Sequence, residues 1–282
     1  MAAKSKGTLR AQWLGKMLKE LREENSMTLK EPADYIQRST STLSRFEAGT
    51  WPITRAEVTA LMNFYGVDGP SQRAQMLQLA EEIAETGWWE RYYQGTTMIN
   101  YVWLEDRAER LRIFNPLVIP GLLQTGEYAE RLIRISDPDA SARQIERWVG
   151  VRMARQEILT RDSPTEIQLI LDEAALRRPV GGPQVICEQL QRLLTEAAKP
   201  NIEIRVLPFS VGEYPGTDGS FALIKMADPF PEVVYIDSAA GSIFLEANDV
   251  LRFAGQYDRL ETSCLDAAES TAFIAAIEKE LS

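Results

Sequence analysis

"STSTLSRFEAG", residues 39–49, begins with four hydroxyl side chains in succession and closes on a glycine. Ser and Thr are middling helix formers but strong caps, because their short side chains accept hydrogen bonds from the orphan N–H groups of a first turn. Ser39 therefore opens a helix that runs to about Ala48, and Gly49 stops it. Leu43 and Phe46 stand three residues apart, which turns one face of this helix inward. At about 100° per residue, Ser41, Ser44, Arg45 and Ala48 then face outward, with Thr40 at the edge and Thr42 to the side. The outward face is small and polar apart from one long cation.

The flanking residues supply three more helices. Trp13, Leu14, Met17, Leu18 and Leu21 form an apolar stripe at helical spacing, predicting a helix over 9–24. "TLKE" at 28–31 reads as a capping box, with Thr28 capping and Glu31 reaching back, ahead of a short helix that buries Leu29, Ala33 and Ile36. Pro32 falls at about the fourth position of that helix, where it is expected to remove a hydrogen bond. "TRAE" at 54–57 is a second capping box, and Val58, Leu61, Met62 and Tyr65 give the fourth helix its buried face before Gly66 ends it. A roughly three-residue joint between the second and third helices, with small Ala33 where they cross, is the arithmetic of a helix-turn-helix.

In that motif the second helix meets base edges through its N-terminal residues. Thr40, Ser41, Ser44 and Arg45 are then the expected base contacts, with Arg45 long enough to grip guanine by two hydrogen bonds. Thr28, Lys30, Arg38, Ser39 and the basic N-terminal arm are the expected phosphate contacts.

Charge distribution permits this. The net charge is −10, yet residues 1–66 carry ten Lys/Arg against seven Asp/Glu, and the first nineteen hold Lys4, Lys6, Arg10, Lys16 and Lys19 with no acid. Such asymmetry is expected when one end of a chain approaches phosphate. The absence of histidine removes imidazole acid–base chemistry and every histidine-containing metal site. Cys187 and Cys264 stand far apart and read as two buried thiols, so neither a metal site nor a cofactor is expected. No apolar run approaches a membrane span and the start lacks a secretory signal, which predicts a cytoplasmic protein without a membrane partner.

Residues 71–100 read as a linker helix, 68–86, and an aromatic-rich connection. Trp88, Trp89, Tyr92, Tyr93, Tyr101 and Trp103 crowd this region, either as packing between domains or as a candidate partner or ligand surface. Beyond it, helices are expected near 101–114, 126–135 (capped by Thr125), 141–160, 185–198, 246–260 and 266–281. Strands are expected in "TEIQLIL" (165–171), "NIEIRVLPF" (201–209), "GSFALIKM" (219–226) and "EVVYID" (232–237). The ordering predicts a larger α+β domain with a small sheet over 101–282, after an all-α domain over 1–70. Neither a nucleophile elbow nor a phosphate-binding glycine motif is present, and no catalytic residue is expected.

Two resemblances sharpen these expectations. "LKELREEN" (18–25), "MTLKEPADYI" (27–36) and "STSTLSRFEAGTWP" (39–52) resemble the Xre-type helix-turn-helix domain of phage-repressor-like regulators. The resemblance implies an ion pair between Arg22, late in the first helix, and Glu47, near the end of the third. This chain has Gln37 where the turn usually holds glycine, Pro32 where an apolar residue is usual, and Leu29 where a polar one is common. "YVWLEDRAERLRIFNPLVIPGLLQTGEYAERL" (101–132), "LDEAALRRPVGG" (171–182) and "LPFSVGEYPGTDGSFALI" (207–224) resemble the C-terminal domain of WhiJ-like actinobacterial regulators, which are described as antitoxin-like. That resemblance implies a C-terminal domain that dimerises the protein and receives a small partner, encoded nearby, or a signal.

The leading expectation is a sequence-specific transcriptional regulator that binds double-stranded DNA as a homodimer. The alternatives are an antitoxin-like interaction protein that sequesters a small partner, with DNA binding as autoregulation, and a regulator that senses a small-molecule ligand.

Overall fold

The computed structural model describes residues 7–85, 87–93, 97–228, 230–238 and 241–281. The chain divides into two compact units, Met1–Asn100 and Tyr101–Ser282.

The first unit is helical: α1 (Leu9–Glu24), α2 (Lys30–Tyr35), α3 (Thr40–Glu47), α4 (Arg55–Phe64) and α5 (Pro70–Ala84). Its starts are fixed by hydroxyl caps. Thr8 caps α1, Ser39 caps α3, and Thr54 with Glu57 completes a reciprocal capping box on α4. Leu14, Leu18, Ala33, Leu43, Val58, Leu61 and Met62 are almost wholly excluded from water, each large one contributing about 1.5–3 kcal/mol. α5 packs against both α1 and α4, so it is part of this helical core.

The four bundle helices share one stop signal. Ser26, Gln37, Gly49 and Gly66 each have a positive φ just past a helix end. In each case the next residue's N–H returns to a carbonyl five residues back, as in Met27 to Arg22, Arg38 to Ala33, Thr50 to Arg45 and Val67 to Met62. This left-handed cap normally takes glycine. Gln37, at the turn between α2 and α3, takes it at φ +55° with a Cβ present. Gln37→Gly is therefore expected to raise stability by about 1 kcal/mol, read as a higher urea midpoint at unchanged slope.

Pro32 proves benign. It is the third residue of α2, inside the first turn, where its N–H would have no intrahelical partner, and it is buried. The expected loss of a hydrogen bond does not occur, because the helix starts at Lys30, one residue later than a cap at Thr28 implies.

The second unit carries a six-stranded sheet in the order β3-β2-β1-β4-β5-β6. The strands are β1 (Ala108–Asn115), β2 (Glu166–Asp172), β3 (Ile202–Leu207), β4 (Phe221–Met226), β5 (Val233–Ile236) and β6 (Ile243–Leu245). β1, β2 and β3 run parallel, while β4, β5 and β6 continue antiparallel from β1. The helices are α6 (Met98–Arg107), α7 (Gly126–Ser136), α8 (Ala142–Ala154), α9 (Glu173–Arg177), α10 (Pro183–Ala197), α11 (Asn248–Ser263) and α12 (Ala267–Leu281). Thr125 caps α7, accepting from Tyr128 N. α11 lays Val250, Tyr257 and Leu260 on one sheet face against Phe114, Ile170, Leu207, Phe221, Leu223 and Val234. α10 and α12 pack on each other and on β3.

One element differs from expectation in kind. The helix expected over 101–114 ends at Arg107, and residues 108–115 form the strand between β2 and β4. Arg112 of this strand stacks over the Tyr257 ring at 4.2 Å and pairs with Asp258, while the buried Nε atoms of Arg110 and Arg112 make no hydrogen bond among the described residues. β6 also lies outside the expected strands. The two thiols are half-buried rather than buried; Cys264 Sγ lies 3.2 Å from Leu260 O, and burial raises its pKa to about 12.

The aromatic-rich stretch is divided between the two units. Trp89 is buried in the first unit, edge-on to Trp88, which is 40% exposed and packs edge-on to Tyr92; Tyr93 is half-buried. Tyr101 and Trp103 belong to the second unit, where Tyr101 stacks on Tyr235 and the buried Trp103 meets Phe230 edge-on. Trp89 and Trp103 are each packed within their own unit.

Candidate nucleic-acid interface

α3 sits with Leu43 (0% exposed) and Phe46 (3%) driven into the bundle, which leaves Thr40, Ser41, Ser44 and Ala48 on the solvent side. Its first turn is tightly organised. Ser39 Oγ accepts from Thr42 N at 3.1 Å and lies 2.9 Å from Thr42 Oγ1. The far end is anchored to α1 at close range. A Cβ on Gly15 would stand 2.5 Å from Phe46 O, so only glycine lets α1 cross the last turn of α3 there.

Beside that crossing, Arg22 grips Glu47 through two hydrogen bonds, Nε to Oε1 at 2.7 Å and Nη2 to Oε2 at 2.9 Å. Arg22 Nη1 also donates to Met27 O at 3.0 Å. Both side chains are nearly excluded from water, and the bond to Glu47 raises the arginine pKa further. The pair ties α1, the loop after it and α3 into one block.

Arg45 is held differently. Its Nε donates to Ser41 O at 3.3 Å and its Nη2 to Thr42 Oγ1 at 3.5 Å, both long. Its guanidinium lies 4.2 Å above the ring of Trp51, which is 48% exposed. The sequence reading missed Trp51. A tryptophan in a turn has no apolar period to flag it, and the available signal is its place two residues after the Gly49 cap.

The candidate phosphate contacts divide. Lys30 is exposed at the start of α2. Arg38 is exposed, but its Nε donates to Glu57 Oε1 at 2.8 Å. Burial raises the Glu57 pKa, yet hydrogen bonds from Thr54 N–H, Arg38 and Thr54 Oγ1–H outweigh it and leave the pKa below the usual value. The Thr28 hydroxyl donates to Glu31, whose carboxyl is held low chiefly by that bond. Thr28 N–H also donates to Glu31, at 2.8 Å, while Lys30 N–H donates back to Thr28 Oγ1 at 3.3 Å. Thr28 is thus occupied by Glu31, but it is not the cap expected for α2: the N-cap is Leu29, which makes no side-chain cap bond. A phosphate there would displace a carboxylate from its hydroxyl.

The basic arm is also reduced. Lys4 and Lys6 lie outside the described residues. Arg10 is buried and ion-paired with Glu90, while Lys16 and Lys19 pair along α1 with Glu20 and Glu23. Arg10 is a structural cation, not a phosphate contact.

Among the described residues, no group of three Cys, Asp or Glu side chains could hold a metal ion, and no helix is long and apolar enough to cross a membrane. No curated protein and no solved structure matches the chain. Residues 13–76 match a helix-turn-helix domain, a span that covers α2, α3 and α4, most of α1 and the first half of α5. Residues 99–276, well over half the chain, match the domain of unknown function DUF5753. The chain is therefore a DNA-binding regulator with an N-terminal helix-turn-helix, and it belongs to the DUF5753 family.

Proposed function

We propose that the protein is a sequence-specific transcriptional regulator of the Xre type, acting in the cytoplasm as a dimer on a near-palindromic duplex site. The observation that carries the reading is the outward face of α3. Thr40, Ser41 and Ser44 are exposed and short enough to let the helix approach base edges, and Arg45 is the one long donor among them. Lys30, Ser39 and Arg38 flank this face as phosphate contacts, Arg38 after exchanging Glu57 for phosphate. Two copies would set their third helices about one DNA turn, roughly 34–36 Å, apart.

In this reading the second unit is the WhiJ-like part, which dimerises the protein and receives a small protein partner or signal. Leu117, Ile135, Phe209 and Leu251 leave large apolar side chains exposed there. The reading involves no catalysis and no cofactor.

The test is a binding-site selection with the full chain and its Arg45→Ala variant. The expected result is a two-half-site motif for the parent. The variant should lose about 1–3 kcal/mol of discrimination at one base pair per half-site. An identical motif from both proteins removes Arg45 from the reading, and no enriched motif from either removes the function.

A further inference from the structure

We propose that Trp51 is a positioning residue for base reading: its ring is a shelf that holds the Arg45 guanidinium in the orientation needed to take a guanine end-on. This rests on the reading of α3 as the base-contacting helix.

The chain path explains how the shelf is built. α3 closes with Gly49 N–H on Phe46 O at 2.9 Å and Thr50 N–H on Arg45 O at 3.0 Å. The left-handed Gly49, at φ +64°, turns the chain back beneath the helix, and Pro52 follows directly after Trp51. That reversal brings position 51 under position 45, one side chain above the other, with the guanidinium 4.2 Å from the ring centre. Thr50 Oγ1 lies 3.4 Å from the same Arg45 carbonyl, a second tie across the turn.

Trp51 is not there to fill the core. It is 48% exposed, and among the described residues no other ring stacks on it. The contact present on the indole is the Arg45 guanidinium, at cation–π distance. The guanidinium is constrained on three sides: the ring on one face, Ser41 O at Nε, and Thr42 Oγ1 at Nη2. Among the described residues, Nη1 makes no hydrogen bond and Nη2 makes only the one to Thr42. Those two donors are the end-on fork that matches the paired O6 and N7 acceptors of guanine. A free arginine would lose side-chain entropy on adopting that pose, whereas one already stacked loses less.

The experiment uses the full chain and one binding-site selection with competition assays. It compares the parent, Trp51→Ala, Trp51→Tyr, Arg45→Ala and the double variant. Trp51→Ala is expected to weaken the guanine preference at the Arg45-read base pair by about three-fold, with preferences elsewhere, the melting temperature and the salt dependence unchanged. Trp51→Tyr, which keeps an aromatic face, restores most of the preference. The double variant reads bases no worse than Arg45→Ala alone, because a shelf with nothing on it does nothing. If Arg45→Ala loses the preference while Trp51→Ala keeps it, the shelf is refuted and the reading of α3 stands. If Trp51→Ala weakens all duplexes equally, Trp51 is a backbone contact or a fold element, and the proposal also fails. If Arg45→Ala changes no base preference, both fall together.

Discussion

Glu47→Ala is expected to cost the first unit about 3–5 kcal/mol and to abolish duplex binding with it. Glu47 is 6% exposed and Arg22 11%, so removing the carboxylate strands a guanidinium that water cannot reach freely. The two bonds between them are short and parallel, the geometry in which an arginine–carboxylate pair is strongest. Against a total stability of roughly 5–15 kcal/mol for a domain, such a loss leaves a large share of molecules unfolded. The placement of the loss also matters. Glu47 is the last residue of α3, and without it the helix keeps its cap at Ser39 but loses its polar tie to α1. Urea denaturation followed by circular dichroism, alongside a duplex titration, measures both effects. A loss under about 1 kcal/mol would place the pair with ordinary surface ion pairs and remove its structural role.

Glu105→Ala carries a comparable expectation for the second unit, about 3–5 kcal/mol, for a pair that is more deeply enclosed. Arg155 Nε and Nη2 donate to Glu105 Oε1 and Oε2 at 2.7 and 2.8 Å, and the side chains are 7% and 2% exposed. The guanidinium also lies 5.3 Å from the Tyr101 ring. Fifty residues separate the partners, so the pair ties α6 to the turn after α8. The control is the double substitution Glu105→Met with Arg155→Met, which removes both charges at similar volume and should cost far less than either truncation alone. If the double variant is the worse of the two, packing around the pair, and not an unmatched charge, sets the cost.

Much of the first unit was legible because its determinants are local. Ser39, Thr54 and the apolar stripes act within one or two turns of helix, so spacing alone locates α1, α3 and α4. Pro32 turns on a shift of one residue in where α2 begins, since a proline is harmless in a first turn and harmful beyond it. β1 was not legible for the opposite reason. "AERLRIFN" carries Glu109, Arg110 and Arg112, reads as a continuation of α6, and becomes a strand only through partners at 166–171 and 221–226. No local pattern encodes pairings that distant. The candidate site shows the same division. The outward set of α3 and the link of Thr28 to Glu31 follow from local spacing, whereas the stacking of Arg45 on Trp51 depends on a chain reversal at Gly49.

The seating of β1 also governs the order in which the chain can fold as it is made. The helical unit takes all its internal contacts from the first hundred residues and is complete once these have emerged. β1 follows at once in the chain, yet it must wait until residue 226 for its antiparallel neighbour β4. In that interval a strand bearing Leu111, Ile113 and Phe114 has at least one bare edge, the kind that pairs with stray strands from other chains. A nascent molecule therefore carries a finished DNA reader attached to an unfinished, aggregation-prone sheet, and translation that stalls before β4 produces the first without the completed second.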